Sequence, residues 1–405
     1  MHILFLAPET HVYNHGFLRA LRDLGAKVSG IGLTSKAKLS PAAARLLDGY
    51  ATCSRVMDEE AVFKAASQLA SPAFDLVETI DEPLVEPAAA LRGRLGIPGL
   101  TLPTARLCRD KVAMKEFLRQ HSVPCAQSGA VTSAADANAF AERWGYPIIL
   151  KPLAGFGSLS TFRCGTQAEL ETALQKLKPS ATHPVAIEEF IEGHEGFFDT
   201  ICDADGVRHE FAAHYYPGCL EATQHRWISP QIAVTNRIEQ GGYEELRALN
   251  RRVIAALGLR NAATHMEWFF GPKGLKFSEI GARPAGEKIW DMYRVANDFD
   301  VYREWALGIL GRPGESKPNR HYAVGSIQIR PGRDGRIAGH RGLEAMRRRC
   351  GEWIYEESVP APGTPTKGLD KGWLVNTWFR LRHPDYDTLR ELMTFIGETV
   401  KVDAS

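Results

Sequence analysis

The chain has 405 residues with 49 Lys and Arg against 48 Asp and Glu, so no global charge attracts nucleic acid or a membrane surface. Hydrophobic residues make up 44% and charged residues 24%, which excludes a disordered, collagenous or membrane-embedded chain. This length exceeds one ordinary core and predicts two or three domains.

Seven cysteines without a CxxC pair or metal-ligand spacing predict reduced thiols. The opening MHILFLAPE has no basic leader followed by a long apolar segment and a cleavage site. Together these features predict a cytoplasmic protein.

The first hundred residues alternate strand-like and helix-like runs, which is typical of a parallel α/β sheet. The runs are, in order, HILFLA, FLRALRDLG, KVSGIG, EEAVFKAASQLA and FDLVETI. No GxGxxG follows the first strand, which argues against the usual dinucleotide site. Asp81 and Glu82 end the last strand, where such sheets bind ligands, although an acidic loop has the same appearance.

Two prolines and a glycine in IPGLTLP mark a domain boundary. A new unit follows with one helix, ARLCRDKVAMKEFLRQH, and later the buried strand YPIILK. Two strand pairs with charged or glycine turns then predict antiparallel hairpins. From about His321 onward, further strands and a closing helix predict a small α+β unit.

Three lysines are the first candidate binding residues. Lys111 and Lys115 lie one helical turn apart on one face, although surface lysines have the same spacing. Lys151 ends a buried strand, and a buried ammonium needs a partner such as a phosphate.

The AGFGSLST loop follows Lys151. Gly155 and Gly157 free its backbone, and Ser158 adds a hydroxyl donor, so the loop can cradle phosphate oxygens. A plain hairpin turn is the alternative.

The segment AIEEFIEGHE alternates apolar and acidic residues. This pattern suits a segment with one face against a planar aromatic ligand, whose edge can hydrogen-bond the backbone; the apolar residues are Ile187, Phe190 and Ile191, and the acids are Glu188, Glu189, Glu192 and Glu195. Glu195 is free to accept hydrogen bonds from ribose hydroxyls, as carboxylates do in nucleotide sites.

Glu267 and Glu279 lie twelve residues apart across a GPKG turn. Adjacent antiparallel strands bring such carboxylates to the same face. Two like charges repel unless a cation bridges them, and oxygen ligands of this kind suit Mg²⁺ completed by phosphates and water. The alternative for FSEIGARPAGE is a solvated, charged loop.

From about Leu102 to Gly311, the order and spacing of these elements resemble the ATP-grasp superfamily. The form EIGARPAGE is most similar to its carboxylate-amine ligase branch, which includes L-amino-acid ligases. The resemblance implies an ATP-grasp fold of mixed α/β and α+β class, with a Rossmann-like N-terminal domain and a small C-terminal lid. The implied domains are 1–100, 101–315 with a flap-bearing subdomain at about 122–190, and 316–405.

The resemblance also implies a role for each candidate residue. Arg283 would hold phosphate and the transition-state oxyanion, and the AGFGSLST loop would be the phosphate flap. The other implied roles are Lys111 and Lys151 for ATP phosphates, Glu188 to Ile191 for adenine, Glu195 for ribose, and Glu267 and Glu279 for Mg²⁺, with Mn²⁺ as a substitute.

Two departures from the pattern concern this site. Gly281 stands where many relatives carry a metal-binding asparagine, and the flap has no arginine or lysine. Glu287 matches the base of the carboxylase branch, but here it would instead orient a substrate amine.

The resemblance implies an enzyme that uses ATP to join a small carboxylate to an amine through an acylphosphate, releasing ADP and phosphate. A biotin-carboxylase-type enzyme and a non-catalytic ATP-binding protein are the alternatives. It implies no nucleic-acid or membrane partner, and it leaves a homodimer open.

Overall fold

The computed structural model describes residues 1–71, 73–153, 160–368 and 375–405. The predicted flap residues Gly155, Gly157 and Ser158 lie outside the described residues. Within the described part, no helix is long and apolar enough to cross a membrane.

The N-terminal unit is a parallel four-stranded sheet with helices, as the alternating sequence predicted. Its elements are β1 (His2–Leu6), α1 (Asn14–Asp23), β2 (Lys27–Gly32), α2 (Pro41–Arg45), β3 (Gly49–Thr52), α3 (Glu59–Ser67), β4 (Leu76–Glu78) and α4 (Val85–Leu95). The strand order is β3-β2-β1-β4. All five residues of β1 are buried, because helices cover both faces of such a sheet.

The single helix predicted from residue 105 to 121 is wrong. The chain forms two helices there, α5 (Leu102–Leu107) and α6 (Lys111–Gln120). The first helix ends at Leu107, and Asp110 starts the second, because its Oδ1 accepts hydrogen bonds from the amides of Val112 and Ala113 at 3.0 Å. A capping Asp favours a new helix start over continuation of the apolar pattern. Lys111 is therefore the first residue of α6.

A small antiparallel sheet follows, in the order β5-β8-β6-β7. Its elements are β5 (Ser128–Val131), α7 (Ala134–Trp144), β6 (Ile148–Pro152), β7 (Phe162–Cys164), α8 (Gln167–Leu177) and β8 (Val185–Glu189). Ile148, Leu150 and Ile187 of the sheet pack with Leu170 of α8 in one buried cluster. This packing fixes the strand end that carries Lys151.

An eight-stranded antiparallel sheet forms the largest part of the molecule, in the order β13-β12-β9-β10-β11-β14-β17-β16. Elements from residue 194 onward are β9 (His194–Cys202), β10 (Val207–Tyr216), α9 (Cys219–Gln224), β11 (Gln231–Val234), α10 (Glu244–Leu257), β12 (Ala262–Gly271), β13 (Gly274–Gly281), α11 (Ile289–Asn297), α12 (Val301–Ile309), β14 (Ala323–Ile329), β15 (Ile337–Arg341), α13 (Leu343–Cys350), β16 (Ile354–Ser358), β17 (Thr377–His383), α14 (Tyr386–Thr399) and β18 (Lys401–Ala404). Both predicted hairpins, β9–β10 and β12–β13, are antiparallel pairs.

The large sheet runs across the predicted domain limit between residues 315 and 316. Strand β11 pairs with β14 through four residue pairs, from Gln231–Ile327 to Val234–Val324. Strands β14, β16 and β17 of the C-terminal segment therefore extend the same sheet that carries the β12–β13 hairpin, whereas β15 and β18 pair in a separate two-stranded sheet.

An aromatic cluster attaches the N-terminal unit to the rest of the chain. The Phe17 ring of α1 lies 4.8 Å from Trp290 of α11 and 4.9 Å from both Tyr302 and Trp305 of α12, measured between ring centroids. Burial of such rings contributes strongly to packing between units. The attachment holds the carboxyl end of β4 beside the end of β13, where Glu82 contacts Arg283.

Candidate active site

A cavity of about 390 Å³ lies between the small sheet and the β12–β13 hairpin, with α6 and α9 completing its walls. Nine of the residues predicted for the site line it: Lys111, Lys151, Glu188, Glu189, Phe190, Ile191, Glu195, Glu267 and Glu279. Arg283 and Glu287 do not line this cavity. Arg283 instead borders a separate, much smaller cavity of about 20 Å³.

One wall of the cavity carries three lysines paired with two glutamates. Lys115 Nζ lies 2.7 Å from Glu188 Oε1, and Lys151 Nζ lies 3.2 Å from Glu188 Oε2. Lys111 Nζ lies 3.2 Å from Glu279 Oε2, and Lys151 Nζ lies 4.0 Å from the same oxygen. The cluster therefore links α6 and the small sheet to the hairpin.

Lys115 was predicted to share a face with Lys111 but was not assigned to the site. Its side chain is only 1% exposed, and burial lowers the pKa of its ammonium. The pKa of Glu188 is lowered, because Lys115 and Lys151 outweigh the burial that would raise it. Lys115 and Lys151 thus favour the ionised form of Glu188 at the cavity wall.

The β12–β13 hairpin places Glu267 directly opposite Glu279. Burial and the charge of Glu279 raise the pKa of Glu267. Burial also acts on Glu279, but Lys111 and Lys151 outweigh it and lower the pKa of that carboxyl to about 2. Within the described residues, no three His, Cys, Asp or Glu side chains are grouped to hold a metal. An ion at this acidic pair therefore needs oxygens from substrate and water as well.

Glu195 lies on β9 and faces the same cavity. Its Oε2 accepts a hydrogen bond from the Cys219 amide at 2.6 Å, at the start of α9. A Cβ at Gly218 would lie 2.6 Å from that oxygen, so the contact needs glycine there. Burial and the charge of Glu267 raise the pKa of Glu195 to about 8.

The opposite end of the cavity is more apolar. Ile191 is buried there, and the Phe190 amide bonds to the Pro147 carbonyl at 3.1 Å, which fixes the backbone after β8. The guanidinium of Arg163 lies 4.8 Å from the centre of the Phe190 ring. Ile149 and Phe269 also line the cavity, so this end suits a planar aromatic group.

Arg283 lies beyond the acidic pair and contacts the N-terminal unit. Its Nε donates to Glu82 Oε2 at 2.6 Å, and its Nη1 donates to the Pro284 carbonyl at 2.7 Å. Arg109 Nη1 donates to the other oxygen of Glu82 at 2.8 Å. Sequence reasoning noted Glu82 at a strand end but did not connect it to Arg283.

Glu287 is exposed, and both Glu287 and Lys288 have left-handed backbone, with φ of 58° and 63°. Such conformations cost free energy in residues other than glycine and persist where surrounding contacts hold them. Arg380 Nη2 donates to the Glu287 carbonyl at 3.3 Å, and Lys288 Nζ donates to Glu356 Oε1 at 3.2 Å. The C-terminal strands therefore hold this turn.

A histidine beside the acidic pair was also missed. His265 lies two residues before Glu267 on β12 and therefore points to the same face of the sheet. Its Nδ1 lies 2.6 Å from Asp199 Oδ1. Tyr293 donates its hydroxyl to Asp199 Oδ2 at 2.6 Å. Burial lowers the pKa of His265, but Asp199 outweighs it and the net shift is upward. The alternation in THMEW was the available signal.

Comparison with known proteins places this geometry in a family. Residues 110–284 match the family described as the carbamoyl-phosphate synthase L chain, ATP binding domain. The chain is 33% identical over 346 residues to the L-arginine-specific L-amino acid ligase of Bacillus subtilis, covering 80% of this chain and 79% of that protein.

Solved structures share the fold. The L-amino acid ligase from Bacillus licheniformis superposes with a TM-score of 0.77 at 17% identity, over 100% of this chain and 98% of that one. The N5-carboxyaminoimidazole synthetase from Staphylococcus aureus complexed with ADP has a TM-score of 0.70 at 14% identity, over 98% and 96%. At these identities the likeness concerns the fold.

The chain belongs to the ATP-grasp carboxylate-amine ligases, enzymes that use ATP to form C–N bonds. The predicted fold class and enzyme class are both confirmed.

Proposed function

We propose that the cavity binds ATP with Mg²⁺ and that the enzyme joins the carboxylate of one L-amino acid to the amine of a second substrate. The observation that carries this proposal is the register of Glu267 opposite Glu279, facing Lys111 and Lys151 within 3.2 to 4.0 Å of Glu279. ATP with its divalent cation combines a planar aromatic base, a polyanion and a cation, which match the apolar end, the lysines and the acidic pair of this cavity.

Lys111 and Lys151 bind the phosphates in this proposal. Both ammonium groups now contact carboxylates, and a polyphosphate offers them a larger negative charge in the same place. The adenine ring would occupy the apolar end beside Phe190 and Ile191, with Glu188 and Glu189 on the strand that leads there. Glu195 would accept from the ribose hydroxyls.

Glu267 and Glu279 are the residues that fit a divalent cation. Their side-by-side carboxylates repel each other, and a divalent cation held by these two residues would offset that cost. When bound, Mg²⁺, or Mn²⁺ in its place, neutralises phosphate charge that develops during transfer.

The reaction in this proposal has two steps. A carboxylate oxygen attacks the γ-phosphorus of ATP, and the bond between that phosphorus and the oxygen shared with the β-phosphate breaks. ADP departs, and the carboxylate has become an acylphosphate. The amine nitrogen then attacks the acyl carbon, phosphate leaves with the C–O bonding electrons, and the nitrogen loses a proton to give the amide. Arg283 would stabilise the oxyanion at this carbon, and Glu287 would contact the incoming amine.

An L-amino acid as the acid component is supported by the Bacillus subtilis relative, whose name states L-amino acid ligation. The test is release of ADP and phosphate with each of the twenty L-amino acids alone and in pairs, followed by mass spectrometry of the products. A dipeptide formed with equal amounts of ADP and phosphate supports the proposal. ADP release with bicarbonate alone, and none with amino acids, would instead support a carboxylase.

A further inference from the structure

Glu82 connects the N-terminal unit to the arginine of the candidate site. It follows β4 by four residues, and 201 residues of sequence separate it from Arg283. The Arg283 Nε to Glu82 Oε2 distance is 2.6 Å, and the Arg109 Nη1 to Glu82 Oε1 distance is 2.8 Å. Each oxygen of the carboxylate therefore binds one guanidinium.

This pair is well shielded from solvent. The side chains of Glu82 and Arg283 are 12% and 16% exposed. Charge-assisted hydrogen bonds of this geometry are stronger and more directional than neutral ones. The pKa of Glu82 is lowered, because Arg283 and Arg109 together outweigh the burial that would raise it.

Gly281 makes room for this contact. A Cβ at Gly281 would lie 2.8 Å from Glu82 Oε2 and 3.7 Å from Arg283 Cγ. Gly281 is the last residue of β13, so space for the carboxylate, rather than a left-handed turn, accounts for the glycine. The departure from the asparagine expected at this position is thereby explained: the space for a side chain is occupied by Glu82.

The hydrogen bonds leave one nitrogen of Arg283 for another partner. Glu82 binds Nε and the Pro284 carbonyl binds Nη1. In the portion of the chain that the structure describes, no hydrogen bond involves Nη2. Two fixed contacts orient the planar guanidinium, so the direction of Nη2 is set before substrate arrives.

We infer that Glu82 is a positioning residue of the ligase, holding Arg283 for the transition state, and that Gly281 is required for that contact. The inference rests on the proposed role of Arg283. Through Glu82, the N-terminal unit affects the rate of the reaction in addition to any contact that it makes with substrate.

The test compares Glu82→Gln with Glu86→Gln. Glu86 forms an exposed ion pair with Arg106 at 3.8 Å, four residues from Glu82, and serves as the matched control. Glu82→Gln should lower kcat by about 10- to 100-fold with ATP affinity within about twofold of wild type, since misplacement of a reacting group acts on the barrier. Glu86→Gln should leave kcat unchanged.

Two further variants keep the test decisive. Glu82→Asp retains the charge, so its kcat should lie between those of Glu82→Gln and the wild type. If circular dichroism shows that Glu82→Gln does not fold, Glu82→Asp takes its place in the comparison. Gly281→Ala should lower kcat although Glu82 is intact, because the added methyl group displaces the carboxylate.

A double-mutant cycle separates positioning from direct substrate contact. If Glu82 acts through Arg283, adding Glu82→Gln to Arg283→Lys should lower kcat no further than Arg283→Lys alone. The inference would be overturned if the two losses in kcat multiplied in the double variant, or if Glu82→Gln kept wild-type kcat. Wild-type kcat in Arg283→Lys would instead overturn the proposed role of Arg283, so the two failures are distinguishable.

Discussion

Glu267 and Glu279 face each other across the β12–β13 hairpin, and a register shift follows immediately after Glu267. Two half-buried like charges in this arrangement repel, which would ordinarily destabilise the hairpin. Lys111 and Lys151 reach Glu279 from the other wall of the cavity and supply the compensating charge. The same cations are then available to a phosphate chain.

Glu279→Gln should abolish turnover while the protein stays folded. The change keeps the size of the side chain but removes the charge that holds a cation, and loss of several kcal/mol of transition-state stabilisation corresponds to about 100-fold or more in kcat. Glu267→Gln should behave similarly but less severely. Steady-state kinetics and circular dichroism check both. Near-wild-type turnover in the folded Glu279 variant would mean that Glu267 and Glu279 are only solvated charges on a hairpin, without a role in catalysis.

Arg283→Lys should lower kcat with little change in ATP affinity. Lysine keeps the positive charge but loses the planar fork that binds two oxygens at once. A loss confined to kcat is the signature of an interaction made mainly in the transition state. Kinetics and calorimetric titration with ATP measure the two quantities separately. A loss in ATP affinity alone would make Arg283 a ground-state phosphate anchor.

Lys115→Met should lower the free energy of unfolding, and its effect on ATP binding should be smaller. The variant leaves the buried Glu188 with Lys151 as its remaining partner, and breaking a buried pair in this way costs about 3 kcal/mol in free energy of unfolding. Urea denaturation measures the change, with exposed Lys64→Met of α3 as the control. Equal unfolding midpoints for the two variants would contradict the prediction.

Mg²⁺ and ATP together should stabilise the protein more than either does alone. Ligand at 100 times its Kd adds about 2.7 kcal/mol to the stability of the folded state. Thermal unfolding with ATP, with Mg²⁺, with both, and with both plus excess EDTA measures the effect. The midpoint should be highest in the third sample, which contains both ATP and Mg²⁺ without EDTA. If folded protein shows neither binding heat nor a raised midpoint with Mg²⁺ and ATP, the ATP site is assigned wrongly.

The acidic pair was predictable because its two members are close in sequence. A twelve-residue separation around a GPKG turn is enough to place Glu267 near Glu279. The helix start at Lys111 was missed, because the apolar spacing continued through Asp110 and concealed its capping role. Helix α4 and strand β5 were also missed.

Long-range partners could not be predicted in the same way. The spacing of Lys111 and Lys115 indicated a shared helix face, but it gave no sign that Lys115 would bind Glu188, 73 residues away. The contact between Glu82 and Arg283 spans 201 residues and two units. Such contacts depend on how whole sheets pack, which local periodicity does not encode.

The continuous eight-stranded sheet joins the C-terminal strands β14, β16 and β17 to the hairpin that carries the acidic pair. Because β11 and β14 share four residue pairs, the C-terminal strands move with the β12–β13 hairpin as one frame. Among the described residues, one parallel β-bridge, between Cys125 and Phe277, joins the segment before β5 to that frame. Ion pairs also cross this junction: Lys111 and Lys151 contact Glu279, and Lys273 of the hairpin turn contacts Glu189 of the small sheet. A polyphosphate that displaced Glu279 from its lysines would therefore weaken the attachment of the small sheet and leave the Lys273–Glu189 pair in place.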